Sequence, residues 1–185
     1  MEDSLVKFAF YGSIIPQFII NLDHKIIHWN NALGEATHTK ASEMIGTSFQ
    51  WKAFYKTERP CLVDLVVDNK EEELLKRYEG KIHKRGLEGI YEAVDFFPQL
   101  GSGGAWFRFT ATKILDSSNK VVAAMETLED ITEIKNAEIQ IIKNSDELKK
   151  MNEFMVDREM RMTELKQQLK TLETKYDGLA NKLKQ

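Results

Sequence analysis

From Ile134 to the end of the chain, apolar residues recur at alternating spacings of three and four, and that rhythm restricts the last third of the molecule to one kind of structure. With Ile134 as position a of a seven-residue repeat, the a positions are Ile134, Ile141, Leu148, Met155, Met162, Leu169, Tyr176 and Leu183, all apolar. The d positions are Ala137, Asn144, Met151, Arg158, Leu165, Leu172 and Leu179. An α-helix turns every 3.6 residues, so a strict seven-residue repeat keeps its stripe facing a neighbour only when two helices supercoil left-handedly. At ~1.5 Å per residue, residues 133–185 form a rod roughly 80 Å long, too long to fold back onto a small domain. The expected partner is therefore a second copy, in a parallel homodimeric coiled coil. Asn144 and Arg158 would lie in its seam as polar residues that lower stability but fix register.

The totals bound the rest. With 185 residues, 42% hydrophobic and 30% charged, the chain has room for one ordinary domain beside the rod. The expected division is a lead-in helix over 1–14, a globular domain over 15–132 and the helix over 133–185. A net charge of -3 argues against nucleic acid, which demands a concentrated basic surface. The rod alternates signs, as in Glu147, Lys149, Lys150 and Glu153, the pattern of a solvated face. No apolar run of about 18 residues is available to cross a bilayer, and Met1-Glu2-Asp3 lacks the character of a secretory signal. No membrane contact and a cytoplasmic location are thus expected. Cys61 has no second cysteine to pair with and reads as a small buried hydrophobe.

Local patterns supply the elements. Leu5, Phe8 and Ala9 stand at helical spacing before Ser13 and Pro16. Phe18-Ile19-Ile20 and Ile26-Ile27-His28-Trp29 flank a polar turn and read as a hairpin. Asn30 or Asn31 can cap a short helix from Ala32 to Thr37, and a second short one from near Lys40 closes at Gly46. Pro60 marks a helix start with Leu62, Leu65 and Val66 on one face, and another helix is predicted from Lys70 to about Lys81. Ile90 to Phe97, Trp106 to Leu115 and Val121 to Leu128 then read as three strands of an antiparallel meander. Phe107, Phe109 and Ala111 alternate with Trp106, Arg108 and Thr110, so one face of the middle strand is apolar and should cover the short helices. Asp130 and Glu133 fit a capping box joining the last strand to the rod.

Two strands, short helices, three strands and a long helix resemble the order of a PAS domain. Ile27-His28-Trp29-Asn30-Asn31-Ala32 resembles the second strand and helix entry of that family. Ala124 to Thr132 resembles its last strand and Asp-Ile-Thr exit motif, and the likeness spans about Ile15 to Thr132. Asn152 to Met160 and Glu164-Leu165-Lys166 are similar to the helix linking PAS domains to effectors in bacterial sensor histidine kinases. The resemblance implies an α+β fold, a five-stranded antiparallel sheet with short helices on one face, followed by the coiled coil. It also implies a signal-sensing module of a two-component system or a related sensor.

By the same resemblance, a cavity between sheet and helices would be walled by Leu65, Leu74, Tyr78, Phe107, Phe109, Ala123 and Met125. A wall that is apolar with one phenol fits a small apolar or aromatic ligand better than a phosphate or sugar. Two readings of that interior compete, one ligand-bearing and one filled by its own side chains, which would make the chain a dimerising scaffold. Asp130, Ile131, Thr132, Glu133 and Ile134 are the implied coupling residues. A third reading is a haem-binding gas or redox sensor, with His83 as axial ligand; Lys81, Lys84 and Arg85 around it read instead as a solvated turn. Flavin photochemistry needs a cysteine in a setting that Arg59-Pro60-Cys61-Leu62 does not provide, although noncovalent flavin stays open. The sequence requires no cofactor. His24, His28 and His38 have no zinc-ligand spacing, and Gly101-Ser102-Gly103-Gly104 lacks the Lys-Ser/Thr ending of a phosphate loop. No catalytic arrangement is visible, and the rod contains no histidine to accept a phosphoryl group. The expectation is a non-enzyme that acts on a downstream effector.

Overall fold

Asn30 is fully buried, and its hydrogen bonds explain how the first third of the chain assembles in the computed structural model. Its Oδ1 accepts from the backbone N–H groups of Gln17 (3.0 Å) and Leu33 (2.9 Å), while its Nδ2 donates to the carbonyls of Ile15 (2.8 Å), Ser13 (3.3 Å) and Phe10 (3.4 Å). One amide thus caps a helix, starts a strand and closes the segment leading into it. A buried amide is tolerated because its donors and acceptors are matched. The structure describes residues 2–84, 89–101 and 103–182, with side chains for 4–83, 89–101 and 103–175. Arg85, Ser102 and Leu183 lie outside the described residues, as do the side chains of Lys84, Tyr176 and Leu179.

In chain order the elements are α1 (Glu2–Gly12), β1 (Gln17–Asn21), β2 (Ile26–Trp29), α2 (Asn31–Thr37), α3 (Ala41–Met44), a 3-10 turn (Gln50–Ala53), α4 (Leu62–Val67) and α5 (Glu71–Arg77). They are followed by β3 (Ile82–Lys84), β4 (Ile90–Phe97), β5 (Ala105–Leu115), β6 (Val121–Asp130) and α6 (Thr132–Lys182). All strands join one antiparallel sheet in the order β2-β1-β6-β5-β4-β3. The first and last strands of the domain therefore lie side by side in its middle, and β6 has a neighbour on each edge.

The expected α+β fold is present, with one difference in strand count. The sheet has six strands, because the predicted helix from Lys70 to Lys81 ends at Arg77 and the chain then enters β3. Gly80, at φ +71°, takes the left-handed conformation that turns the chain. Three residues of β3 carry too little periodicity to be read as a strand in advance.

One face of the sheet carries Phe18 and Ile20 from β1, Ala124, Glu126 and Leu128 from β6, Phe107, Phe109 and Ala111 from β5, and Tyr91, Ala93 and Phe97 from β4. Against them pack Leu62, Val63, Leu65 and Val66 of α4 and Leu74 of α5 in one continuous core. The register follows from the two-residue period of strands: Phe18 pairs with Glu126, which pairs on its other side with Ala111. On the opposite face α1 reaches β2, where Tyr11 Oη is 3.1 Å from His28 Nδ1 and the Phe10 ring lies 5.5 Å from the imidazole.

The chain separates into two units, Met1–Lys135 and Asn136–Gln185. The second is helical through Lys182, and its apolar stripe is exposed: Ile141, Leu148, Met155, Met162, Leu165, Leu169 and Leu172 all present their side chains to solvent. Among the described residues, no helix is long and apolar enough to cross a membrane.

Candidate functional site

The sheet and α4–α5 enclose an aromatic interior. Tyr78 and Phe109 meet edge to face at 5.7 Å, Phe109 meets Phe97 at 5.9 Å, and Phe97 meets Phe107 at 5.9 Å, geometries favoured by ring quadrupoles. Leu65, Leu74, Tyr78, Phe107 and Phe109 are all buried there. Ala123 and Met125 are not part of this wall. They fall on the other face of β6, and the inward positions belong to Ala124 and Glu126. A one-residue difference in register moves every side chain of a strand to the opposite face, and the apolar run Val121 to Met125 carries no alternation that would reveal it.

Glu126 is the residue that sequence reasoning missed. Its carboxyl is buried, and Oε2 accepts from the Val63 N–H at 2.8 Å. Burial pushes its pKa up to about 8; the Val63 hydrogen bond works in the other direction and the nearby Asp64 charge adds to the rise. At neutral pH the carboxyl is therefore mostly uncharged. Its signal in the sequence was weak, a lone Glu between Met125 and Thr127 in a strand.

Polar groups gather near it. Burial and the Glu126 charge raise the Tyr78 phenol, and burial and the Tyr78 phenol raise that of Tyr55. Burial likewise raises the Cys61 thiol well above its ordinary range, with Glu126 and Asp64 adding to it, so it is inert as a nucleophile. Arg59 lies 4.1 Å over the Tyr55 ring and 5.7 Å from the Tyr78 ring. The Tyr55 and Tyr78 hydroxyls interact, which adds to the rise at Tyr55 and works against the rise at Tyr78.

At the far end of β6 a cleft of about 590 Å³ opens between Ile14–Pro16 and the last strands, with Phe107, Leu128 and Asp130 in its wall. Beside it the chain passes from sheet to helix. Ile131 is buried and donates its N–H to the Trp106 carbonyl (2.8 Å), while its own carbonyl accepts from Lys135 (2.9 Å). Ile131 thus holds the cap position. Asp130, one residue earlier, accepts from the Thr132 N–H (2.9 Å), and Thr132 Oγ1 accepts from the Trp106 N–H (2.9 Å). The cap therefore falls at Ile131, one residue after the expected Asp130, and an isoleucine side chain forms no capping box; pairing of Ile131 with β5 extends the sheet that far. Glu133 and Ile134 follow in the first turn and are exposed.

His83 is exposed on β3, paired in register with Glu92, and does not face the aromatic interior. Among the described residues no group of three or more His, Cys, Asp or Glu side chains is placed to hold a metal ion. Asn144 and Arg158 are exposed on α6 in the single chain.

Comparison with known proteins agrees with this geometry. The model of the PAS domain matches residues 16–133. No curated protein sequence matches the chain. Among solved structures, it is similar to an RNA-binding light-oxygen-voltage receptor (TM-score 0.53, 11% identity), a likeness that covers 78% of this chain and 36% of that one, so the chain spans little more than a third of that receptor. It is also similar to a PAS domain from Colwellia psychrerythraea (TM-score 0.47, 16% identity, 72% and 99% covered) and to that of Bordetella pertussis BvgS (TM-score 0.48, 10% identity, 79% and 99% covered). With a family match over most of its length, the chain belongs to the PAS domain family, whose role is the sensing of signals.

Proposed function

We propose that this PAS module binds a small apolar or aromatic molecule carrying at least one polar atom, and passes the resulting change through β6 into a parallel coiled-coil homodimer that drives an effector such as a histidine kinase. The observation that carries this reading is the 590 Å³ cleft whose wall contains two inward-facing residues of the core, Phe107 and Leu128, together with Asp130 of the strand-to-helix junction. A ligand there would touch Asp130, and a shift of β6 would reach Thr132, whose hydroxyl accepts from the Trp106 N–H of β5. Two packings of this junction, biased by ligand, would alter helix register or crossing in the dimer. The module itself performs no chemistry in this reading.

Native mass spectrometry with an absorption spectrum of the purified protein tests the first half. Added mass from a retained organic molecule is expected, and the same spectrum reports haem or flavin. A chain of bare mass that also fails to take up any compound from a small aromatic library would favour the scaffold reading, which the tight packing of Leu65, Leu74 and Phe109 otherwise supports. For the second half, Leu172→Cys should give an intermolecular disulfide, Cys61 being buried and silent. Absence of that cross-link removes the parallel, in-register dimer.

A further inference from the structure

His24, in the β1–β2 turn, holds both of its ring nitrogens against carboxylates of α4: Nδ1 is 2.7 Å from Asp64 Oδ1 and Nε2 is 3.0 Å from Asp68 Oδ1. An ionised carboxylate only accepts, whereas a neutral imidazole offers one N–H and one lone pair. A neutral ring in this position would set its lone pair against one of the two oxygens. Only the imidazolium, with a proton on each nitrogen, satisfies both contacts at once. Asp64 is buried and its oxygens are engaged further, Oδ1 by Gln50 Nε2 at 2.6 Å and Oδ2 by the Cys61 N–H at 2.8 Å. Asp68 is kept ionised: burial pushes its pKa up, but Lys70, 2.8 Å away, and His24 outweigh burial and bring it below the usual 3.8.

The turn gives the ring something to hold. His24 has φ +59°, a left-handed conformation that glycine or asparagine adopts more readily. Asn21 ties the turn from one side, its Oδ1 accepting from the Asp23 (3.0 Å) and Lys25 (2.9 Å) N–H groups and its carbonyl accepting from the His24 N–H (3.1 Å). The imidazole ties it from the other side, to a helix 40 residues along the chain.

The remaining charges about the ring come from each element near it. Glu58, Arg59, Lys70 and Glu73 line with it a cleft of about 360 Å³, Glu73 being paired with Arg77 at 2.8 Å, and Asp23 and Lys25 flank it in the turn. Burial works against a charge on His24, while the hydrogen bonds and charges of Asp64 and Asp68 outweigh burial and raise its pKa above 6.5, in agreement with the geometry.

We infer that His24 is a proton-operated clasp: protonated, it bridges Asp64 and Asp68 and fastens the β1–β2 turn to α4, and on losing its proton it gives up Asp68 and the turn loosens. The neutral ring can keep its N–H on Asp64, the shorter contact, but then presents a lone pair to Asp68. The clasp acts on the helix whose Val63 N–H binds Glu126 of β6. It needs no ligand and does not depend on the proposed ligand site.

Nitrogen-15 NMR of the His24 ring in the full chain, assigned by its loss in His24→Asn, counts the ring protons directly as pH is raised. Both nitrogens should be protonated together, with a midpoint above 6.5, and Asp68→Asn should lower that midpoint. Hydrogen-exchange protection of the His24 and Lys25 amides, corrected for the intrinsic pH dependence of exchange, should fall by about two- to fivefold as the ring loses its proton. In His24→Asn it should stay at the lower level throughout. A midpoint at or below 6.5, a neutral ring facing a protonated Asp64, the parent midpoint retained in folded Asp68→Asn, or protection that ignores the His24 titration would each overturn the inference.

Discussion

The globular unit and the helical unit treat their apolar residues in opposite ways. In the first, Trp29, Leu33 and Phe109 are no more than 1% exposed, while in the second Ile141, Leu148 and Leu172 are 67%, 62% and 62% exposed. Burying a Leu or Met side chain is worth about 1.5–3 kcal/mol. One unit has realised that gain within its own chain, and the other leaves it unrealised in the single chain. Under the proposed function, the reading element is complete in each molecule and only the transmitting element depends on assembly.

The largest effect that would break this contrast is on the helix. Leu148→Glu with Leu165→Glu places four charges in a dimer seam and should weaken association by roughly a thousandfold or more. Sedimentation should then report monomers whose near-ultraviolet spectrum, set by the globular unit, is unchanged; an unaltered mass would remove the stripe as the interface. In the globular unit, Phe109→Ala should cost about 3–5 kcal/mol in denaturant unfolding, since Phe109 packs on both Tyr78 and Phe97.

Glu126 sharpens the comparison through pH, because among the described residues only the globular unit holds carboxyls in its interior. Its folded pKa of about 8 lies above the ordinary 4.5. Between these values the unfolded chain releases the proton while the folded chain keeps it. Stability from this group is therefore complete below pH 4.5 and declines as pH rises to about 8. Glu126→Gln should flatten that decline and leave the variant on the order of a few kcal/mol more stable than the parent at the alkaline end. Equal pH slopes for variant and parent would mean that Glu126 is charged in the folded state.

In the helix, Asn144→Leu with Arg158→Leu should tighten the dimer about tenfold or more and lock its register. Unchanged affinity and unchanged output would refute a polar switch in the seam. The smallest effect belongs to His24. Its folded pKa is raised, so the stabilisation it provides is fully present below pH 6.5 and fades as pH rises through the folded value. His24→Asn, which tolerates the left-handed turn, should cost less than about 1 kcal/mol after solvent screening, and only at acid pH.

What could be read in advance divides along the same line. The heptads from Ile134, the Asn30 cap and the runs Ile90 to Phe97 and Val121 to Leu128 are local patterns, and local patterns report the period of the element that contains them. The short strand Ile82–Lys84 could not be read, because three residues define no period. The sequence pattern points Met125 inward and gives no sign of Glu126 for a related reason: which face of β6 turns inward is decided by pairing with Phe18 and Ala111, distant residues whose register the strand itself does not encode.

The sequence alone determined the order of the longer elements, the heptad helix after the sheet, and the family, since each rests on spacing along the chain. Only the tertiary structure decided which groups meet. It brought Glu126 to the Val63 N–H, Ile131 and Thr132 to Trp106, and Gln50, Trp51, Arg59 and His24 to one cleft. Burial and hydrogen-bond partnership are properties of the packed chain, and a carboxyl in a strand or an amide in a short turn takes its chemistry from neighbours that arrive from elsewhere in the sequence.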